Sequence, residues 1–317
     1  MKYNLENIPK TEVVRSDGLT YLDFRKSLSP HYNIVWQDIG LAYFYIFLSM
    51  ILSFSLESLL AFPFWVFIPF LSLITGFCIA HLRLFVHEAV HENIHVDKKK
   101  NDLLANIFLC SWFGISLQGY RKSHWKHHYL LGTTEDSENS YFKKLSIELF
   151  ISYLTGVYGI KNKFQQIKKL LLNKAGRKTL WMASIGIILN SGILCFCIYV
   201  GHWQSAVVWF LATAIFFPLF SEIRQILEHR NEWADPNKDF SKENHGKTCR
   251  LFEASFMSNF FGAAGFNRHL LHHWDPHISY TQYDELEDYL MDTSQCRVSI
   301  YGSTTTYFDT FLFLIIF

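Results

Sequence analysis

Eleven of the 15 histidines fall in four places. His87, His91 and His95 lie in HEAVHENIH, and His124, His127 and His128 in HWKHH. His229 closes EIRQILEHR, and His269, His272, His273 and His277 lie in HLLHHWDPH. Neutral imidazole is the commonest protein ligand for a metal and suits iron and zinc alike. His87 and His91 are four apart, so on a helix they share one face. In each H-x-x-H-H, the first two rings are i, i+3 neighbours and the third adds a divergent vector. One short helix can then address two ions, or a ligand and its neighbour. Two copies in one chain make a chance match a small concern. So many rings exceed what one tetrahedral ion takes, and they suit two ions with open positions. Glu88, Asp136, Glu228, Asn267 and Asp275, each close to a cluster in sequence, are candidates to orient ring N–H groups.

The elements that must position these residues are membrane spans. Half the residues are hydrophobic and 18% are charged, against about a quarter charged in a soluble domain. No Lys or Arg occurs between Lys26 and Arg83, or between Lys178 and Arg224. A span needs about 20 apolar residues, so each gap holds two spans and a turn. The expected spans are 39–60 and 64–86, turning around Glu57–Pro63, and 180–200 and 204–221, turning at Gly201–Gln204. The positive-inside rule puts the three Lys- and Arg-bearing regions in the cytoplasm, with every histidine cluster at that face.

The expected fold is thus all-α and integral to the membrane: two transmembrane hairpins under a cytoplasmic helical cap. Its parts are an N-terminal segment (1–38), hairpin one (39–86), a region with the first two boxes (87–178), hairpin two (179–221), a region with His229 and the last box (222–303), and an apolar tail (304–317). Residues 103–120 and 251–266 are apolar enough to cross nearly by length, and are read as re-entrant or interfacial. The polar first 26 residues carry no cleaved signal. The six cysteines include no C-x-x-C pair, which removes zinc ribbons and cysteine-held iron–sulfur clusters. A net charge of +1 gives no reason to expect nucleic acid.

The order H-x-x-x-H, H-x-x-H-H, H-x-x-H-H resembles the membrane fatty acid desaturase/hydroxylase superfamily. So do GYRKSHWKHHYLLGTTEDSE around the second box, SEIRQILEHR, and FNRHLLHHWDPHISYTQYDELEDYL around the third. The resemblance covers roughly residues 40 to 290. It implies two non-haem irons that activate O2 against an unactivated C–H bond of a fatty-acyl or lipid chain. It implies His87, His91, His124, His127, His128, His229, His269, His272 and His273 as iron ligands. Desaturation is favoured over hydroxylation or ketone formation. Electrons would come from a separate donor, a ferredoxin or a b-type cytochrome with its reductase. A bacterial inner membrane is preferred over endoplasmic reticulum.

Other readings stand beside this one. His87-Glu88-Ala89-Val90-His91 is also a literal H-E-x-x-H, the zinc-protease pattern with Glu88 as general base, but it leaves both H-x-x-H-H boxes unexplained. His95 and His277 fall outside the pattern, His81 is a span residue, His202 lies at the far turn, and His31 and His245 are surface residues. Trp125 and Trp274 are candidates to wall a substrate channel. Lys98–Lys100 and the cluster from Lys161 to Lys178 read as charge at anionic headgroups, with docking of an acidic electron donor as the alternative.

Overall fold

The computed structural model describes residues 5–59, 64–138, 145–172, 177–230, 234–235, 237–243 and 248–316. His245 and part of the first hairpin turn (60–63) lie outside them. Among the described residues, four helices are long and apolar enough to span: α2 (Tyr32–Leu59), α3 (Phe64–Val90), α8 (Arg177–Tyr199) and α9 (Trp203–His229). α1 (Tyr21–Ser27) precedes them, started by Thr20, whose hydroxyl accepts from Asp23 N.

The long helices outrun the apolar stretches that betray them. A helix ends where its backbone is capped, and a polar residue does not by itself stop one. α3 runs on through His87 and closes at the left-handed Glu92. α9 passes Glu222 and Arg224 to reach His229. It also carries Pro218, whose missing N–H removes one helical bond. A wider π turn at Ala212–Phe216 ends two residues before that proline, the usual accommodation for a local fault in the ladder.

Residues 98–130 turn back on themselves. α4 (Lys98–Phe113) starts at Asp97, whose carboxylate accepts from Lys100 N. It stops at Gly114, which takes the left-handed conformation (φ 64°). Ser116 then caps α5 (Leu117–Leu130), which leaves at 86° to α4. Gly114 also packs backbone to backbone on α8, since a Cβ on Gly186 would lie 2.5 Å from its Cα. An 86° bend in this pair is the geometry of a re-entrant loop or of a broken span. Residues 251–266 hold a two-residue strand (β1, Leu251–Phe252) and the six-residue α10 (Phe256–Phe261), too short for any span.

α6 (Ile147–Leu154) and α7 (Val157–Leu172) link α5 to α8, and α11 (His269–Trp274) carries the last box. α12 (Tyr283–Met291), α13 (Ser294–Ser303), β2 (Thr304–Thr305, parallel to β1) and α14 (Tyr307–Ile316) follow. Two cores result. One joins α2, α3, α4 and α9; the other packs Leu5, Ile8, Val13, Tyr21 and Phe24 of the N-terminal segment against α11 and α12.

Candidate metal centre

Box one sits at the last turn of α3 and box two on α5, and a clamp joins them. Arg121 forms a salt bridge to Asp102 of α4 (2.6 Å) and donates to the terminal carbonyls of α3, Nε to Val90 O (2.9 Å) and Nη2 to Ala89 O (3.2 Å). A guanidinium on helix-end carbonyls helps to satisfy them and complements the dipole; Ala89 O also accepts from Asn101 Nδ2 and Glu92 N. α5 is thereby held with His124 and His128 turned to His91.

The nine histidines named from sequence converge. Ligand-capable nitrogens of His87, His91, His124, His128 and His272 all lie within 4.8 Å of one another. Those of His127, His229 and His273 form a second group, and Glu228, His229 and His269 a third that shares His229 with it. Adjacent Nε2 atoms are 2.9 Å apart for His91–His124, 3.0 Å for His124–His128, 3.1 Å for His128–His272 and 2.7 Å for His229–His269. Two nitrogens about 2.1 Å from one ion, at right angles to each other, stand about 3.0 Å apart. Nε2 of His87 is buried with no hydrogen-bond partner, which fits a nitrogen that ligates a metal, since a buried polar atom otherwise finds a partner.

The outward nitrogens are held from behind. His127 Nδ1 meets both oxygens of Asp136 (2.9 and 3.0 Å), and His124 Nδ1 meets Glu138 Oε1 (3.3 Å). His229 Nδ1 donates to Thr248 O (2.8 Å), and His272 Nδ1 meets the Tyr283 hydroxyl (3.1 Å). Such partners fix ring orientation and tautomer. Burial, and then the neighbouring rings, push His91, His269, His272 and His273 well below the ordinary imidazole range. They are neutral at physiological pH and present lone pairs. Burial works against the charge of Glu138, but His127 and His124 hold its carboxyl below the usual range.

The five polar neighbours picked from sequence divide. Asp136 reaches a ring directly. Glu88 stands 3.5 Å from His87 Nδ1 and accepts from Asn93 (3.2 Å). Glu228 binds Arg224 (2.9 Å) beside His229 and His269. Asp275 turns elsewhere, because the chain becomes extended there (φ −138°, ψ 91°) as α11 ends. Its carboxylate takes Tyr21 Oη (2.6 Å), Arg25 (3.1 Å) and Lys10 (3.3 Å). Asn267 donates to Asn259. Glu138, Tyr283 and the Thr248 carbonyl were not picked out. Glu138 had a signal, as an acid two residues beyond Asp136; the other two had none in residue type and spacing.

The remaining described histidines are not in these groups. His95 Nδ1 accepts from Asp97 N, His31 is 4.0 Å from Glu285, and His81 packs on Phe85. His202 stacks on Phe54 beside Glu57 at the opposite end of the helices. His277 touches the Trp125 ring.

A cavity of about 600 Å³ reaches His87, lined also by Tyr120, Glu138, Arg224 and Phe266. A second, apolar cavity of about 480 Å³ lies among the spanning helices, against Phe47, Met50, Trp112 and Leu194. The two share Phe113, Thr213, Ala214 and Phe217 as walls. Trp125 and Trp274 line neither; Trp274 packs edge-on to Tyr21 instead.

A family model described as fatty acid desaturase matches residues 63–303. The chain belongs to the fatty acid desaturase family. Membership sets the zinc-protease reading aside, since the H-E-x-x-H histidines join the five-ring group rather than a closed three-ligand site. No curated protein matches the chain.

Proposed function

We propose that this family member is an O2-dependent di-iron desaturase acting on the hydrocarbon chain of a fatty-acyl or lipid substrate. The observation that carries the reading is the convergence of nine imidazoles into adjoining groups, with His87 lining a cavity that shares walls with the apolar one among the spanning helices. His87, His91, His124, His128 and His272 would hold one iron, and His127, His229, His269 and His273 the other. When bound, the irons supply the activation of O2 needed to remove hydrogen from an unactivated C–H bond.

The protein's own residues do the rest. Asp136, Glu138, Thr248 O and Tyr283 aim the rings before metal arrives, so coordination costs little reorganisation. The apolar cavity takes the chain and excludes water, while Phe113 and Phe217, common to both cavities, pass it toward His87. The positive-inside rule, applied to the Lys- and Arg-bearing loops on the site side, supports a cytoplasmic centre. A separate carrier supplies electrons. The test compares lipids from cells expressing the parent and a His124→Ala variant by mass spectrometry. Chains short of two hydrogens, made by the parent alone, support desaturation. Chains that gain one oxygen contradict it in favour of hydroxylation.

A further inference from the structure

α5 has two unlike faces. At 3.6 residues per turn, His124, His127 and His128 occupy one side, and Lys122, Trp125, Lys126 and Tyr129 form a stripe on the other at i, i+3, i+4 and i+7. Both lysines are exposed, and Tyr129 is 78% exposed. Tyr129 stacks on Trp125 (centroids 5.8 Å, 28° between planes). Trp125 in turn lies against His91 (5.2 Å, 74°) and His128 (5.5 Å, 47°). Two ring contacts thus lead from the surface to two members of the five-histidine group. Neither Trp125 nor Tyr129 lines the cavity that reaches His87, so this approach is separate from the substrate's.

We infer that the Lys122–Trp125–Lys126–Tyr129 face is the docking surface for a one-electron carrier protein with an acidic surface, and that Trp125 bridges that carrier to the metal site. The inference rests on the di-iron reading above. Removing two hydrogens from a chain with one O2 yields two waters and needs two further electrons and two protons. Two reduced carriers, each oxidised by one electron, would supply those electrons through Trp125, which is itself neither oxidised nor reduced overall, to the irons that the histidines would hold. The protons come from water. The charge is right for such a partner: two exposed lysines flank the rings, and opposite charge steers encounter. Lipid is the weaker fit. Surfaces of this chain that suit lipid expose aliphatic side chains, as Leu103 and Ile107 do on α4 and Ile160 does beside the lysines of α7; the α5 stripe has none.

The experiment uses the full iron-loaded chain in nanodiscs and a reduced acidic [2Fe–2S] ferredoxin as probe, with carrier reoxidation followed anaerobically by stopped flow. The double variant Lys122→Glu/Lys126→Glu should lower the second-order rate about tenfold at low ionic strength and lose most of the salt dependence. Dithionite, which bypasses any docking face, should reduce it as fast as the parent. Trp125→Leu should slow the saturating rate at unchanged iron content, and Trp125→Phe should restore it. Parent-like carrier kinetics in both the Lys variant and Trp125→Leu overturn the inference. So does a Lys variant that loses vesicle binding while its carrier kinetics stay intact, since the face is then a membrane anchor. A parent chain that holds no iron, or iron that dithionite cannot reduce, overturns the di-iron reading and this inference with it.

Discussion

Asp136 offers the sharpest test of how the rings are held. Its side chain is fully buried and takes His127 Nδ1 on both oxygens, while Oδ1 also accepts from Glu138 N at 2.8 Å. One carboxylate therefore orients His127 directly and His124 through Glu138. A hydrogen bond to a buried charge contributes about 1.5–3 kcal/mol, and about 2 kcal/mol corresponds to roughly thirtyfold in iron affinity, within the usual range for such partners. Asp136→Asn keeps a neutral acceptor for the ring and should lose about tenfold. Asp136→Ala loses the ring and the loop together and should approach a hundredfold. The assay is chelator competition on the purified protein, with iron counted by plasma mass spectrometry and helicity checked by circular dichroism. If Asp136→Ala is helical and binds iron as tightly as the parent, the ring-orienting argument is wrong.

Three further outcomes follow from other parts of the molecule. Glu57 accepts from Gln204 N (3.0 Å), Ser205 N (2.9 Å) and Ser205 Oγ (2.6 Å), joining the two hairpins at the end away from the nine converging histidines. Glu57→Ala should cost about 1–2 kcal/mol, read as a lower Tm in detergent with iron content unchanged. Asp275 ties down the N-terminal segment; burial alone would raise its pKa, but Tyr21, Lys10 and Arg25 bring it below the usual value. A lowered folded pKa stabilises above the unfolded value of about 3.9 and is lost as pH falls through the folded one. Trypsin should thus cut after Lys10 and Arg25 faster in Asp275→Ala at neutral pH, and in the parent only after exposure to stronger acid. In sealed vesicles, His202→Cys and Lys126→Cys should react with impermeant reagent from opposite sides; reaction from one side would refute the two-hairpin topology.

The spans and the nine converging rings were legible because both rest on local spacing. A lysine-free stretch marks a hairpin, and i, i+3 or i, i+4 places two rings on one face. Where a helix ended was less legible, since α9 continues through Glu222 and Arg224 to an end where the distant Arg250 donates to Leu227 O. The clamp of Arg121 on Asp102 and on the α3 carbonyls was not legible at all. It joins residues on different helices, and half its acceptors are main-chain atoms that every sequence has. Thr248 O behind His229 is hidden for the same reason. Asp275 misled for the opposite reason: it adjoins the last box in sequence, yet one extended residue points its carboxylate at the N-terminal segment.

The central claim is that the converged histidines hold two irons, and counting metal per chain tests it most directly. Protein purified from iron-supplemented cells should carry two irons per chain, falling steeply in His124→Ala and His269→Ala with membrane insertion intact. A single tightly held zinc, or iron content indifferent to both substitutions, would contradict it.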